Sequence, residues 1–370
     1  MNYAAPENSR KRWPVILALA VFILAAVLAA LYFTGVFRLR GGDARVSKLR
    51  CVASQNVKPY GNDIVYYDGM TLYCLNSAGG EKWSYSLGGG ADFDTSGASV
   101  AAWMENQLYI IDRNGRATYN DHLKGTVQFA KGGSRYVAAV VGDGFSPTVT
   151  VKDLAGITVD EESNAYTDKA VLDMGFFSGG EYLYISTLET YGTVAENTLY
   201  TIRVGQMNTG ELSLGESLTA AVAYAAGKMY VISSKELKVC DYRGTVDTSA
   251  TTLVYGWHLM DWAEGLNSAE LLFAPSRQAA DGGGITELRL IRGNSDTRLA
   301  LPTACVGAAI CKGQIYAFSE DTVYRAGYRD KRFTAISMNV PGKVTGFRGM
   351  TDGGTALLCC GEEMYAVTLP

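Results

Sequence analysis

Side chains able to do chemistry are sparse in this chain of 370 residues. Two histidines, His122 and His258, lie far apart with no Cys or Glu at ligand spacing. A structural zinc needs four convergent donors and a nucleophilic triad needs a base beside its nucleophile, so neither fits. The seven cysteines, Cys51, Cys74, Cys240, Cys305, Cys311, Cys359 and Cys360, are odd in number and irregular in spacing, which is no disulfide framework. Adjacent Cys359 and Cys360 point to opposite faces of a strand, and the set reads as small buried hydrophobes. The loops GDG at 142–144 and DGGG at 281–284 do not sit between a strand and a helix, as a phosphate cradle requires. Trp103, Trp257 and Trp262 could stack on sugars, but in packed sheets such rings fill the space between layers. With 33 basic against 37 acidic residues and no Lys/Arg cluster outside 38–50, nucleic acid is not an expected partner.

The elements that would position these residues are short strands. Gly is abundant (42), Pro scarce (8) and Tyr plentiful (23), a mixture that suits strands joined by tight turns. The stretch TLYCLNSAGGEKW at 71–83 is strand, polar turn, strand. It returns as LYIIDRNGRATYNDHL at 108–123, VTVKDLAGITVDEES at 149–163 and LKVCDYRGTVDTSATTL at 237–253, with looser copies at 199–218, 288–302 and 323–338 and a partial one, MYAVTLP, at the end. Ahead of each copy lies an apolar run, such as DIVYYD or RYVAAVVGD, and ahead of that a small-residue segment, such as GADFD or VGAAICKG. Three or four strands recurring at about 35–51 residues match the period of a propeller blade. Eight units can be counted, with a seven-bladed ring as the alternative. The last unit stops after its third strand, and RVSKLRCVAS at 45–54 belongs to no other unit. An N-terminal strand completing the last blade would pair both free edges.

The pattern Leu72-Tyr73-x-Leu75-Asn76-x-x-Gly79-x-x-x-Trp83 resembles the PQQ-like repeat of the eight-bladed quinoprotein-dehydrogenase-like propellers, which also include non-enzymatic envelope-assembly proteins. Only the first unit has the tryptophan; Tyr119, Thr158 and Leu212 stand at comparable places. With an apolar N-terminal segment ahead of it, the chain further resembles membrane-anchored propeller proteins of Gram-positive bacteria whose function is unknown. The quinoprotein resemblance implies an axial quinone with calcium and an acidic base, for which Asp94, Asp173 and Asp261, with Asp92, lie on expected innermost strands. Calcium needs six to eight convergent oxygen ligands, and nothing here shows that spacing. No cofactor and no catalysis are therefore expected, and an axial small-ligand site or quinoprotein-like enzyme is the alternative.

Residues 13–33 carry no charge, and at 1.5 Å per helical residue they span a hydrocarbon core; Arg10, Lys11 and Arg12 precede them. A cleaved signal sequence is the alternative, although the run exceeds the usual apolar region of one. The basic residues Arg38, Arg40, Arg45, Lys48 and Arg50 follow it, but a long folded domain translocates largely regardless of charge. The expected organisation is a cytoplasmic tail at 1–12, a bilayer-spanning signal anchor at 13–37, a basic tether at 38–44 and an extracytoplasmic propeller at 45–370. The expected function is a membrane-tethered scaffold that binds an envelope protein or cell-wall polymer. Its recognition loops are expected at 142–148, 188–197 and 276–285, with Phe145, Ser146, Tyr191, Gly192, Arg277 and Asp281 as contacts, because loops displayed on a rigid scaffold carry recognition.

Overall fold

Short apolar runs punctuated by glycine become strands here because both faces of the middle strands of each blade can be buried at once, as in Ser99–Met104, Gln107–Asp112 and Tyr136–Val141. The computed structural model describes residues 44–206, 208–281, 284–330 and 332–370, and within these the side chains of Ser178 and of 279–281 are not described. The tail at 1–12, the span at 13–37 and the tether up to residue 43 lie outside the described residues, among which no helix is long and apolar enough to cross a membrane.

The unit Ala44–Leu369 consists of eight four-stranded antiparallel sheets, the blades of an all-β propeller. Their strands fall in 56–86, 92–122, 127–162, 169–215, 219–253, 257–305, 307–337 and 346–368, with each blade's first strand at one edge of its sheet. First strands of neighbouring blades pack together: Asp92–Thr95 lies against Asn56–Tyr60 and Val127–Gly132, and Gly346–Met350 lies against Gly307–Cys311 and Asn56–Tyr60. The eighth blade thus meets the first, and the ring is closed.

The core is divided accordingly into eight buried clusters, one at each blade junction. Alternation along a strand sends successive side chains to the two neighbouring blades. In the third blade Val137, Ala139 and Val141 meet Trp103, Leu108 and Ile110 of the second, while Ala138 and Val140 meet Leu183 and Ile185 of the fourth. Trp257 and Trp262 pack on the junction between the fifth and sixth blades.

Closure depends on the strand Arg45–Val52, which pairs antiparallel with Glu363–Thr368 as the outermost strand of the last blade. Its Leu49 and Cys51 point into the junction with the first blade. Lys48 pairs with Glu363, and Arg50 reaches Glu81 of the first blade at 3.0 Å. Arg45, Lys48 and Arg50 of the basic stretch therefore belong to the ring.

Six of the seven cysteines are buried and Cys360 is half-buried. Cys359 and Cys360 do face different junctions. Burial pushes the thiol of Cys51 up to about 11 and that of Cys74 up to about 12, so both are thiols at neutral pH.

One expected equivalence is corrected. Thr158 does not take the tryptophan's place: Trp83 pairs with Cys74 and Tyr119 with Ile110, and the residue in that register of the third blade is Asp160, opposite Val151, whose carboxylate accepts the N–H of Gly205 in the next blade's turn at 3.3 Å. Thr158 lies two positions earlier, beyond a bulge that the first three blades share, and pairs with Lys152.

Candidate binding rim

Four antiparallel strands return the chain to the side on which the blade began. All turns from first to second and from third to fourth strand therefore lie on one rim, called the first. All turns from second to third strand and all connections between blades lie on the other, the second. Arg45 is paired with Thr368, at the end of a third strand, so the chain enters the ring on the first rim.

The first rim is built from a repeated turn. Asn76, Asp112, Asp153 and Asp241 each accept the backbone N–H groups two and four residues on, at 2.8–3.0 Å. Glycine closes each turn at positive φ, as in Gly115 at φ 78°, a conformation that costs glycine little. Trp83 lies over the Gly115 turn of the next blade, where an added Cβ would come within 2.6 Å of the indole, and its Nε1–H donates to the carbonyl of Arg113 at 3.0 Å. Tyr119 covers Gly156 in the same way. The tryptophan is thus a blade-packing residue.

On the second rim the connections at 142–147 and 190–195 belong to the adjacent third and fourth blades. Phe145 (54% exposed), Tyr191 (81%) and Val194 (53%) stand out from them, and every residue from 190 to 196 is exposed. Phe145, Thr190 and Tyr191 line an open hollow of about 330 Å³. The first of these loops is clipped to the fourth blade: Phe145 bridges Ala170, the N–H of Ser146 donates to the Lys169 carbonyl at 3.2 Å, and the Ser146 hydroxyl accepts the N–H of Asp168 at 2.8 Å. Ser146 is thus a pin for the loop, and Phe145 and Tyr191 are its display. Gly192 lies between Tyr191 and Val194, exposed like them.

The third expected loop is not open coil. Ser276–Asp281 forms a short helix, Arg277 is exposed on it, and the side chain of Asp281 lies outside the described ones. Gln278 fastens it by accepting the N–H of Thr286 and donating to its hydroxyl, both at 3.0 Å. It borders a separate hollow of about 170 Å³, lined among others by His258, Gln278, Cys305 and Thr345. The structure therefore brings two of the three expected loops together. Met70, Leu218 and Tyr255, also exposed on this rim, were not singled out by sequence. Their signal was a large apolar residue at a turn position. Of the exposed large hydrophobics on turns of the first rim, by contrast, only Ile157 and Leu266 are found among the described residues.

The axial carboxylates are engaged between blades. Asp94 holds Lys58 of the first blade at 3.2 Å and lies 3.4 Å from the N–H of Gly132 in the third. Asp173 pairs with Lys131 of the third blade at 3.4 Å and accepts the Tyr184 hydroxyl at 2.9 Å. Asp261 accepts the N–H groups of Ile310, in the next blade, and of Trp262, both at 2.8 Å, while burial pushes its carboxyl up to about 6. Asp92 accepts the Asn56 side chain at 2.8 Å. These four carboxylates come from three blades, already hold backbone, amide or lysine donors, and do not assemble an oxygen cage of the kind calcium needs. Among the described residues no three His, Cys, Asp or Glu side chains are grouped to hold a metal ion.

A cleft of about 280 Å³ between the second and third blades was not foreseen. In it Lys152 is buried, donates to the Gly156 carbonyl at 3.3 Å and the Thr158 hydroxyl at 2.9 Å, and lies over the Tyr119 ring. Burial holds this amine below its ordinary range.

Solved structures share the architecture. The chain aligns with BamB from Moraxella catarrhalis (TM-score 0.54, 11% identity, 89% of this chain and 99% of that one) and with Sqt1 of Saccharomyces cerevisiae (0.57, 10%, 89% and 98%). It also aligns with the Pan2 WD40 domain of Neurospora crassa (0.52, 8%, 86% and 89%). At these identities the likeness is one of fold. No protein-family model and no curated protein sequence matches the chain.

Proposed function

We propose that this chain is a non-catalytic scaffold that binds a partner protein through the second rim of its propeller, tethered at the cell envelope by a span within 13–37 with the ring outside the cytoplasm. The observation that carries the reading is the clustering of exposed apolar side chains on one rim. Contiguous apolar surface that solvent would otherwise reject marks interaction sites. Rings such as Phe145 and Tyr191 supply large contact area for little lost freedom. The propeller likeness to BamB, Sqt1 and the Pan2 WD40 domain supports a rigid display platform. The length and charge pattern of residues 1–37 support the anchor.

The test is a pair of variants, Tyr191→Cys on the second rim and Ile157→Cys on the first, treated on intact cells with a membrane-impermeant thiol-reactive crosslinker. The unsubstituted chain supplies the background, since its own thiols are buried or half-buried. Both introduced thiols should react, and only the residue-191 variant should yield discrete protein adducts. Reaction only after lysis overturns the envelope location. Equal adducts from both positions overturn the rim, and a polydisperse polymer adduct replaces the protein partner with a cell-wall polymer.

A further inference from the structure

The hollow between Phe145 and Tyr191 sits on loops that carry several carboxylates. Asp143 lies in the first loop, Asp168 in the connection that follows it, and Glu189 and Glu196 flank the second loop. Glu162 ends the neighbouring outer strand; burial first, and the charge of Asp160 second, hold it above the usual carboxylate range. Of these five, only Glu189 has an ion-pair partner among the described residues, Lys169 at 3.8 Å. That lysine is also drawn toward Tyr200, to whose hydroxyl it donates at 2.6 Å.

The placement of Glu189 and Glu196 is informative. They are direct cross-strand partners at the base of the Tyr191 loop, in register between two antiparallel strands. Like charges directly opposite on a sheet are destabilising, and Lys169, the partner of Glu189 on its other flank, is shared with the Tyr200 hydroxyl and offsets this only in part. The free ring therefore carries local repulsion beside an exposed apolar hollow, and a bound cation would relieve it.

We propose that the partner presents a cationic segment with an apolar anchor: its apolar side chain seats between Phe145 and Tyr191, and flanking Lys or Arg side chains lie on the Glu189–Glu196 pair and Asp143. This rests on the second-rim reading above and adds the chemistry of the partner to it. Complementary charge on the periphery of such a site steers encounter and selects partners, while the buried ring contacts hold the complex.

The probe is a short fluorescent peptide of Lys, Leu and Trp, compared with Gln and Glu versions of the same sequence, titrated against the full-length chain by anisotropy. The Lys peptide should bind saturably, and the Glu peptide should not. The double variant Glu189→Gln/Glu196→Gln should weaken it by about tenfold, Tyr191→Ala should weaken it again, and salt raised from about 50 to about 500 mM should do the same. Glu264→Gln, an exposed carboxylate at the first rim, is the control for non-specific attraction to an acidic protein and should leave binding unchanged. The double variant removes repulsion, so an undiminished melting temperature verifies its fold. Equal binding of the Gln and Lys peptides, or indifference to the double variant, overturns the cationic partner. The rim reading fails separately, on the crosslinking at residue 191.

Discussion

On the first rim, Asn76, Asp112, Asp153 and Asp241 turn their side chains back onto their own backbone, and Trp83 and Tyr119 cover the glycine of the next blade's turn. On the second rim, Phe145, Tyr191 and Val194 turn outward and cover nothing. Both rims join the same strands and both hold them with polar side chains. Yet the first turns its large aromatic side chains onto the neighbouring blade, while the second leaves Phe145, Tyr191 and Val194 exposed on loops pinned by residues such as Ser146. A ring of repeated blades can thus keep a constant turn chemistry on one side and vary the other without loss of closure.

The largest effect should come from exchanging an aromatic residue on each rim. Trp83→Ala removes an indole packed on the neighbouring turn together with its hydrogen bond to Arg113, and should cost about 3–5 kcal/mol in urea unfolding. Tyr191→Ala, with the ring in water, should stay within about 0.5 kcal/mol. Similar losses at the two positions would break the comparison between the rims.

The axis belongs to neither rim, and one of its blade-to-blade links, through Asp261, makes stability depend on pH. Asp261 has a folded-state value of about 6, above the ordinary 3.8 that the unfolded chain would show. Between these values the unfolded state releases a proton that the folded state keeps, so stability falls as pH rises from about 4 to about 6 and then levels. Asp261→Asn removes this loss. The unfolding free energy of the variant minus that of the parent should be least near pH 4 and larger by about 2 kcal/mol above pH 6. A difference that is flat across this window would show the carboxylate to be solvated as an ordinary one.

The ring was legible in the sequence because its determinants are local. Period-two burial, the Asn/Asp turn ending in glycine, and an unassigned strand at 45–52 matched to a last blade short of one strand need no knowledge of distant contacts. What was not legible depended on partners from the neighbouring blade. Asp94, Asp173 and Asp261 were placed on innermost strands, but their engagement with Lys58, Lys131 and the Ile310 N–H comes from blade packing. Thr158 lies two residues short of the tryptophan's register, which in the third blade holds Asp160, a carboxylate that gives no aromatic mark to align on. The candidate loops were read as three equals. Only the ring shows that Phe145 and Tyr191 line one hollow while the helix Ser276–Asp281 borders another. The anchor at 13–37 rests on composition alone.

The smallest expected effect sharpens the contrast most, because its sign differs from that of ordinary substitutions. Most changes to a folded protein destabilise it. Glu196→Gln should instead stabilise the free ring by about 0.2–1 kcal/mol, since Glu196 faces Glu189 across the strand pair and a glutamine can still accept the Ser213 hydroxyl, now at 2.8 Å. The gain should shrink as salt is raised, because screening already weakens the repulsion that the substitution removes. Glu363→Gln, on the strand that pairs with the closing strand, should behave in the opposite way: its carboxylate holds Lys48 and accepts the Tyr365 hydroxyl at 2.5 Å, so its loss should destabilise. Thermal unfolding of both variants at low and high salt decides the point. Opposite signs at low salt that converge at high salt would mean that one carboxylate serves closure, while the other is kept at a cost to the free fold. Two losses would mean that the second rim is built for stability like the rest of the ring.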